Sequence, residues 1–355
     1  MEVLTDCKFF KGDRPCIQHK EDGVHCGDCP HYKKKGKMIL VIKLGAMGDV
    51  IRTTPLLHKL EEVYPDADIT WLTDFPKVVP QDRVGNIVTL SPRAIPWLLS
   101  TKFDILYNLD KDREAVGLAS LIPSEEKIGF LSEDGKCAPA DENARHKWLT
   151  GLFDDENRKN MKSYPEEIFE ICGFRFSGEK YIPPAKKERE FDFDIKYPLI
   201  GFNTGCGARW TTRLWPEEMW ISLAKFLIER GYGVILLGGE EEHQKNSRIA
   251  QMSGAVYPGH FPVGEFFQLI DMTDLVVTSV TMALHVAIAQ EKKIVLFNNV
   301  FNRNEFELYG LGKILEPERD CLGCFKTSCG EKCMELLPVD QVARTCEELL
   351  GREEQ

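Results

Sequence analysis

The sequence predicts an α/β protein built as two doubly wound, Rossmann-like domains facing across a cleft, with a small cysteine-rich appendage ahead of them. Three observations lead there. Apolar runs of strand length alternate with amphipathic helical stretches from residue 38 and again from residue 199, the pattern of parallel sheets covered by helices. A charged stretch at 183–197 separates the two series. At 355 residues the chain is longer than one ordinary core supports.

Residues 1–37 carry no long apolar period and form the appendage. The first domain, 38–185, opens with a strand over 38–43, a helix over 50–63 and a strand over 68–73. A short strand at 87–90, a strand at 103–108 and a helix at 113–121 follow, and 131–165 is too polar for its elements to be assigned. The second domain, 186–345, repeats the alternation with strands at 199–203, 234–237, 275–278 and 293–297. Its first helix starts with Pro216 at the N1 position, where a missing N–H costs nothing, and runs to about Arg230 before Gly231 and Gly233. Further helices fall at 266–272 and 282–290, and residues 346–355 are a helix end and tail.

The composition, 43% hydrophobic and 28% charged, is that of a soluble globular protein. No apolar run approaches the ~20 residues of a membrane span, and the first residues lack the pattern of a signal peptide. A cytoplasmic location is the expectation. A net charge of −11 argues against nucleic acid as a partner. The basic runs Lys33, Lys34, Lys35, Lys37 and Arg158, Lys159, Lys162 read first as solvated charge. Contact with an anionic lipid surface is the second reading.

Four segments carry chemistry. In Gly45-Ala-Met-Gly-Asp49, glycines follow a strand and a carboxylate opens a helix. The spacing is not that of the dinucleotide fingerprint, and Asp49 is a helix cap or a base aimed into a cleft. Asn203 to Pro216 combines Thr204, Gly205, further hydroxyls, Arg209 and Arg213 ahead of a helix, a donor set suited to a diphosphate. Gly238-Gly239 and the acids behind it, Glu241 or Glu242, end a strand where a carboxylate accepts ribose hydroxyls, or they form an exposed acidic helix start. In Ser279 to His285, Thr281 begins a helix and His285 follows one turn later on the same face, as a phosphate site or a core histidine.

Together these residues resemble glycosyltransferase family 9, the ADP-heptose:lipopolysaccharide heptosyltransferases of GT-B fold, over roughly 38–345. The resemblance is strongest from Ile39 to Asp49, continuing to Pro55-Leu-Leu. It makes this segment the acceptor-side loop, with Lys43, Gly45, Met47 and Gly48 toward the acceptor and Asp49 as general base. It assigns donor binding to Thr204, Gly205, Arg213, Gly239, Glu241, Ser279, Thr281 and His285, with Arg213 standing where lysine is usual. Val280 and Met282 depart from the family's aspartate and glycine, which leaves the donor sugar open.

The implied function is an inverting transfer, most directly of heptose from ADP-heptose to a lipopolysaccharide-type or other glycan acceptor. It would proceed without a catalytic metal, in the cytoplasm or peripherally at the inner face of the cytoplasmic membrane. A second reading is a catalytically idle GT-B protein that binds a nucleotide-sugar or a partner through structural metal modules. A third, an NAD-linked or Fe–S oxidoreductase, is opposed by the missing dinucleotide fingerprint.

Eight of the 12 cysteines fall in two clusters. Cys321-x2-Cys324-x4-Cys329-x3-Cys333 has the spacing of one tetrahedral ion, with zinc the default and iron open from ligand type. Cys7, Cys16, Cys26 and Cys29, with His19, His25 and His31 nearby, read as a zinc knuckle or as an iron-bearing redox cluster. Thirty-seven residues cannot stabilise themselves by burial alone.

Overall fold

The computed structural model describes residues 1–191, 193–194 and 196–351. Two positions of the expected linker at 183–197, and residues 352–355 of the expected tail, lie outside the described residues. Residue packing divides the chain into two compact units at places other than the expected boundaries. The first comprises Met1–Leu44, Leu57–Asp74 and Gln81–Asp141; the second comprises Gly45–Leu56, Phe75–Pro80 and the chain from Glu142 onward.

The first unit holds a six-stranded sheet of β1 (Met38–Ile42), β2 (Asp68–Leu72), β3 (Asn86–Val88), β4 (Phe103–Asn108), β5 (Ser124–Glu133) and β6 (Lys136–Pro139). The order is β3-β2-β1-β4-β5-β6, parallel except for the β5–β6 pair. Ile39 to Ile42 are wholly buried, as a continuous apolar run must be when both faces of a parallel sheet are covered. Leu40 and Ile42 pack with Leu72, Phe103, Leu106, Ala115 and Ile122. The chain enters β1 past Gly36, where a Cβ would meet the Asp66 carbonyl oxygen at 1.9 Å.

The second unit holds a five-stranded, wholly parallel sheet of β7 (Leu199–Asn203), β8 (Gly233–Leu237), β9 (Leu275–Ser279), β10 (Lys293–Phe297) and β11 (Gly312–Leu315), in the order β11-β10-β9-β7-β8. Phe202, Trp215, Trp220 and Phe297 centre its core, and the buried Trp215 indole donates to the Leu337 carbonyl at 3.0 Å. Strand order reverses between β1 and β4 in one sheet and between β7 and β9 in the other. Ligands of doubly wound folds bind outside the carboxyl ends of strands at such reversals. The loops after β1, β7 and β9 are three of the segments singled out above.

The expected helix over 50–63 is two helices, Met47–Ile51 and Leu56–Val63. Pro55 lacks an N–H and disfavours helical geometry at Thr54. The Thr53 and Thr54 hydroxyls turn back onto the Asp49 and Ile51 carbonyls at 2.6 and 2.7 Å. The unassigned 131–165 stretch holds most of a β5–β6 hairpin, helices Glu142–Leu152 and Asp154–Lys159, and the start of Tyr164–Ile171, whose capping box pairs Ser163 with Glu166. Pro216 is the N-cap of helix Glu217–Glu229 rather than its first residue. A polar helix at His243–Ser253 was not expected; its sparse apolar positions, Ile249 among them, give a weak period. Among the described residues, no helix is long and apolar enough to cross a membrane.

Candidate active site

A cavity of about 960 Å³ opens in the second unit. The loop after β1 lines it with Met47, Gly48, Asp49 and Arg52, and the loop after β7 with Asn203, Gly205, Arg209, Trp210 and Arg213. Gly238 to Glu242 follow β8, Val280 to Ala283 and His285 follow β9, and Phe261, Val263, Phe266, Phe301, Glu305 and Phe306 also line the wall.

Arg213 is 5% exposed. Its guanidinium donates to the carbonyls of Val280 and Cys206, the latter at 2.6 Å, and lies 5.2 Å over the Phe301 ring. No carboxylate pairs with it among the described residues. Burial pulls its pKa down to about 10, with the neighbouring Cys206 thiol partly offsetting that. This is a desolvated cation at the wall of an open cavity, lacking a counter-charge. The side of the cavity formed by helix Met282–Ala289 also suits an anion: the N-cap Thr281 makes no side-chain bond to the first turn. Its hydroxyl instead meets Asn203 Nδ2 at 3.1 Å and Thr278 Oγ1 at 3.2 Å. The helix-start amides therefore keep their affinity for phosphate oxygens.

Two of the expected donor ligands are turned away from this cavity. The Thr204 hydroxyl is buried and donates to Asn246 Oδ1 at 2.6 Å. Ser279 is buried and donates to the Arg213 carbonyl at 3.1 Å, so it holds the arginine's backbone. Of the two candidate acids, Glu242 closes on the loop glycines: Gly239 N–H donates to it at 2.9 Å, and a Cβ on Gly205 would lie 2.2 Å from its carboxylate. Glu241 is exposed and lines the cavity.

Gly48 lies where the two helices flanking the cavity touch, since a Cβ there would come within 2.6 Å of His285 Cδ2. His285 is 5% exposed, and its ring stacks on Tyr181 at 6.1 Å between centroids. Burial, reinforced by Arg52 and opposed by Asp49, pushes its pKa down to about 3, so the imidazole is neutral at working pH. Its Nδ1 is buried without a hydrogen-bond partner among the described residues. Asp49, third residue of its helix, accepts from Ala46 N–H at 3.3 Å and pairs with Arg52 at 2.9 Å. Of the remaining acceptor-side residues, Met47 lines the cavity, whereas Gly45 packs on Phe75. Lys43 lies buried in the first unit, 3.3 Å from Asp110.

Sequence reasoning missed Arg52, Glu305 and the aromatic wall. Arg52 carried a signal, a cation three residues beyond Asp49 on one helix face. Glu305 carried none, being 256 positions from Asp49.

Cys7, Cys16, Cys26 and Cys29 all line a second cavity of about 170 Å³ in the first unit, beside His19 and His25. In the C-terminal cluster, Cys321 and Cys329 are exposed, and Cys333 accepts from Asn299 Nδ2 at 3.1 Å. Among the described residues, no three His, Cys, Asp or Glu side chains are gathered closely enough to hold an ion.

Residues 98–334 match the model of glycosyltransferase family 9 (heptosyltransferase). The lipopolysaccharide core heptosyltransferase OpsX of Haemophilus influenzae is 27% identical over 112 residues, 28% of this chain and 32% of the relative. The match thus spans about a third of that curated relative. The family 9 glycosyltransferase structure from Veillonella parvula superposes with a TM-score of 0.68 at 19% identity, covering 89% of this chain and 98% of that one. The ADP-heptose lipopolysaccharide heptosyltransferase II of E. coli gives 0.65 at 18%, covering 90% and 100%. TibC of enterotoxigenic E. coli, an iron-containing dodecameric glycosyltransferase, gives 0.53 at 14%, covering 91% and 81%. At these identities the likeness establishes the fold, the GT-B architecture with its two mainly parallel sheets.

Proposed function

The chain belongs to glycosyltransferase family 9, and on that premise we propose that its second unit binds a nucleotide diphosphate-sugar and transfers the sugar to an acceptor hydroxyl. The observation that carries this reading is Arg213, a buried guanidinium that no carboxylate pairs with among the described residues, beside an uncapped helix start. A diphosphate supplies the missing charge, and the same groups stabilise it as it leaves.

In the proposed step, the acceptor oxygen attacks the anomeric carbon as the bond from that carbon to the diphosphate breaks. The electron pair of that bond goes to the diphosphate, and the hydroxyl proton goes to Asp49. A single displacement inverts the anomeric centre. Met47 and Gly48, beside Asp49 on the wall, are the proposed acceptor contacts, and Glu241 is the acid proposed to meet the ribose.

ADP-heptose is the proposed donor and a lipopolysaccharide-type glycan the proposed acceptor. Both follow from the likeness to the E. coli enzyme of that name and to OpsX. Such an acceptor is anchored in lipid, which implies a peripheral position at the inner membrane face.

A thermal-shift panel of ADP-, GDP-, UDP- and CMP-linked sugars tests this reading. An ADP-linked sugar at a hundredfold excess over its Kd should stabilise the chain by about 2.7 kcal/mol. Stabilisation without turnover on any glycan would identify a binding protein, and no stabilisation by any donor would end the enzyme reading.

We also propose a structural ion in the appendage. Four thiols from positions 7, 16, 26 and 29 line one small cavity, and a segment this short gains its order from a ligand of that kind. Zinc suits four thiolates. The thiolates of the C-terminal cluster suit zinc or iron by ligand type, and TibC, which shares the fold, contains iron. Metal analysis of purified protein should find about one zinc per chain for the appendage. Protein free of zinc and iron, with unchanged melting after chelation, would overturn both assignments.

A further inference from the structure

The residue that organises Asp49 is Arg52, and its surroundings go beyond a helix-surface ion pair. Its side chain is 13% exposed. One nitrogen lies 2.9 Å from Asp49 Oδ1, another lies 3.7 Å from Glu305 Oε2, and the guanidinium stacks 3.6 Å from the centre of the Tyr164 ring. Tyr164 is fixed in turn by Thr53, hydroxyl to hydroxyl at 3.3 Å. Three segments far apart in sequence thus converge on one guanidinium: helix Met47–Ile51, helix Tyr164–Ile171 and the turn Arg303–Glu305.

We propose that Arg52 is a positioning residue for the transfer step, holding the Asp49 carboxylate at the cavity wall and tuning it as a base, with Glu305 as the opposing charge. The inference rests on Asp49 being that base.

The groups facing Asp49 and Arg52 define the sign. Arg52 caps the end of the same helix, His285 comes from helix Met282–Ala289, Tyr164 and Tyr181 from the chain around helix Tyr164–Ile171, and Glu305 from the segment after β10. His285 is neutral, and burial pushes the Tyr181 hydroxyl up, so neither tyrosinate nor imidazolium charge competes. Burial opposes the charge on Arg52, but Asp49 first and then Glu305 outweigh it and keep the guanidinium protonated. Arg52 therefore favours ionised Asp49, while Glu305 draws on the same cation and adds a like charge.

The pH dependence of kcat/KM, measured beside the Kd for ADP, tests this. Arg52→Met should move the acid limb upward by about one to two pH units, as expected when a close opposite charge is lost. Its kcat should fall by about 10²-fold through lost alignment, with ADP affinity within about twofold of the parent. Glu305→Gln, which leaves Arg52 in place, should move the limb the other way, and Arg52→Lys should restore most of the original limb. If the limb stays put in both Arg52→Met and Glu305→Gln, Arg52 only supports the fold. If ADP affinity falls as far as kcat, Arg52 binds the donor. Turnover surviving in Asp49→Asn would instead remove the base reading on which the inference rests.

Discussion

Asp49→Asn is expected to lower kcat by about 10²- to 10⁴-fold, the range for losing a general base, while the Kd for ADP stays within about twofold. The substitution is close to isosteric. An asparagine oxygen can still accept from Ala46 N–H, as the carboxylate does at 3.3 Å from the third position of the helix. The charge is lost, and with it the ion pair to Arg52 at 2.9 Å, which leaves Arg52 to Glu305. That change should cost about 1 kcal/mol of stability, the scale of one charge at a helix end or one partly exposed pair. A large kinetic loss beside a small stability loss separates a base from a cap. Isothermal titration with ADP, steady-state turnover and a melting curve measure the three quantities on one preparation. Parallel loss of binding, turnover and stability would make Asp49 a structural cap and leave the proton without an acceptor in the proposed step.

Much of this site was legible because strand–turn–helix units announce themselves locally. The runs at 39–42 and 199–202 are continuously apolar and buried, and both lead into glycine-bearing loops. The resulting sheets reverse their strand order at those loops, so the segments chosen from glycine spacing and helix starts were also the topologically favoured ligand positions. The β5–β6 hairpin was not legible. Its strands are half-exposed and charged, and the period-2 signal fades when neither face is clearly apolar.

The direction of individual side chains was also beyond local reading. Thr204 and Ser279 had the right type and position for phosphate contact. Their hydroxyls are taken by Asn246 and by the Arg213 backbone, partners 42 and 66 residues away. Gly48 read as a loop glycine, yet its missing Cβ makes room for His285 from a helix more than 230 positions later. The same holds for the pairing of Arg52 with Glu305. Long-range packing decides which of several suitable groups faces the cavity, and a single sequence carries no term for it.

Arg213→Met is the second large effect, and it separates recognition of the diphosphate from recognition of the base and ribose. The methionine keeps an unbranched apolar stem but removes the charge, its place over the Phe301 ring and five donors. A charge-assisted hydrogen bond to a phosphate is worth about 1.5–3 kcal/mol, so ADP should bind about 10- to 10²-fold more weakly, while adenosine should bind as before. Arg213→Lys should recover part of the ADP affinity, because it restores the charge. It should not recover all of it, because a point ammonium cannot span the Val280 and Cys206 carbonyls as the planar fork does. Those two carbonyls also make the substitution a fold perturbation, since the buried Cys206 carbonyl loses its donor at about 1–3 kcal/mol and the part-buried Val280 carbonyl at less. Comparing the two ligands resolves this ambiguity. A collapsed loop would weaken adenosine and ADP together, whereas a missing counter-charge weakens ADP alone. Equal losses for both ligands in Arg213→Met, or full ADP affinity in a folded variant, would remove Arg213 from the phosphate site. The uncapped helix start at Thr281 would then be the remaining anion-binding feature of this wall.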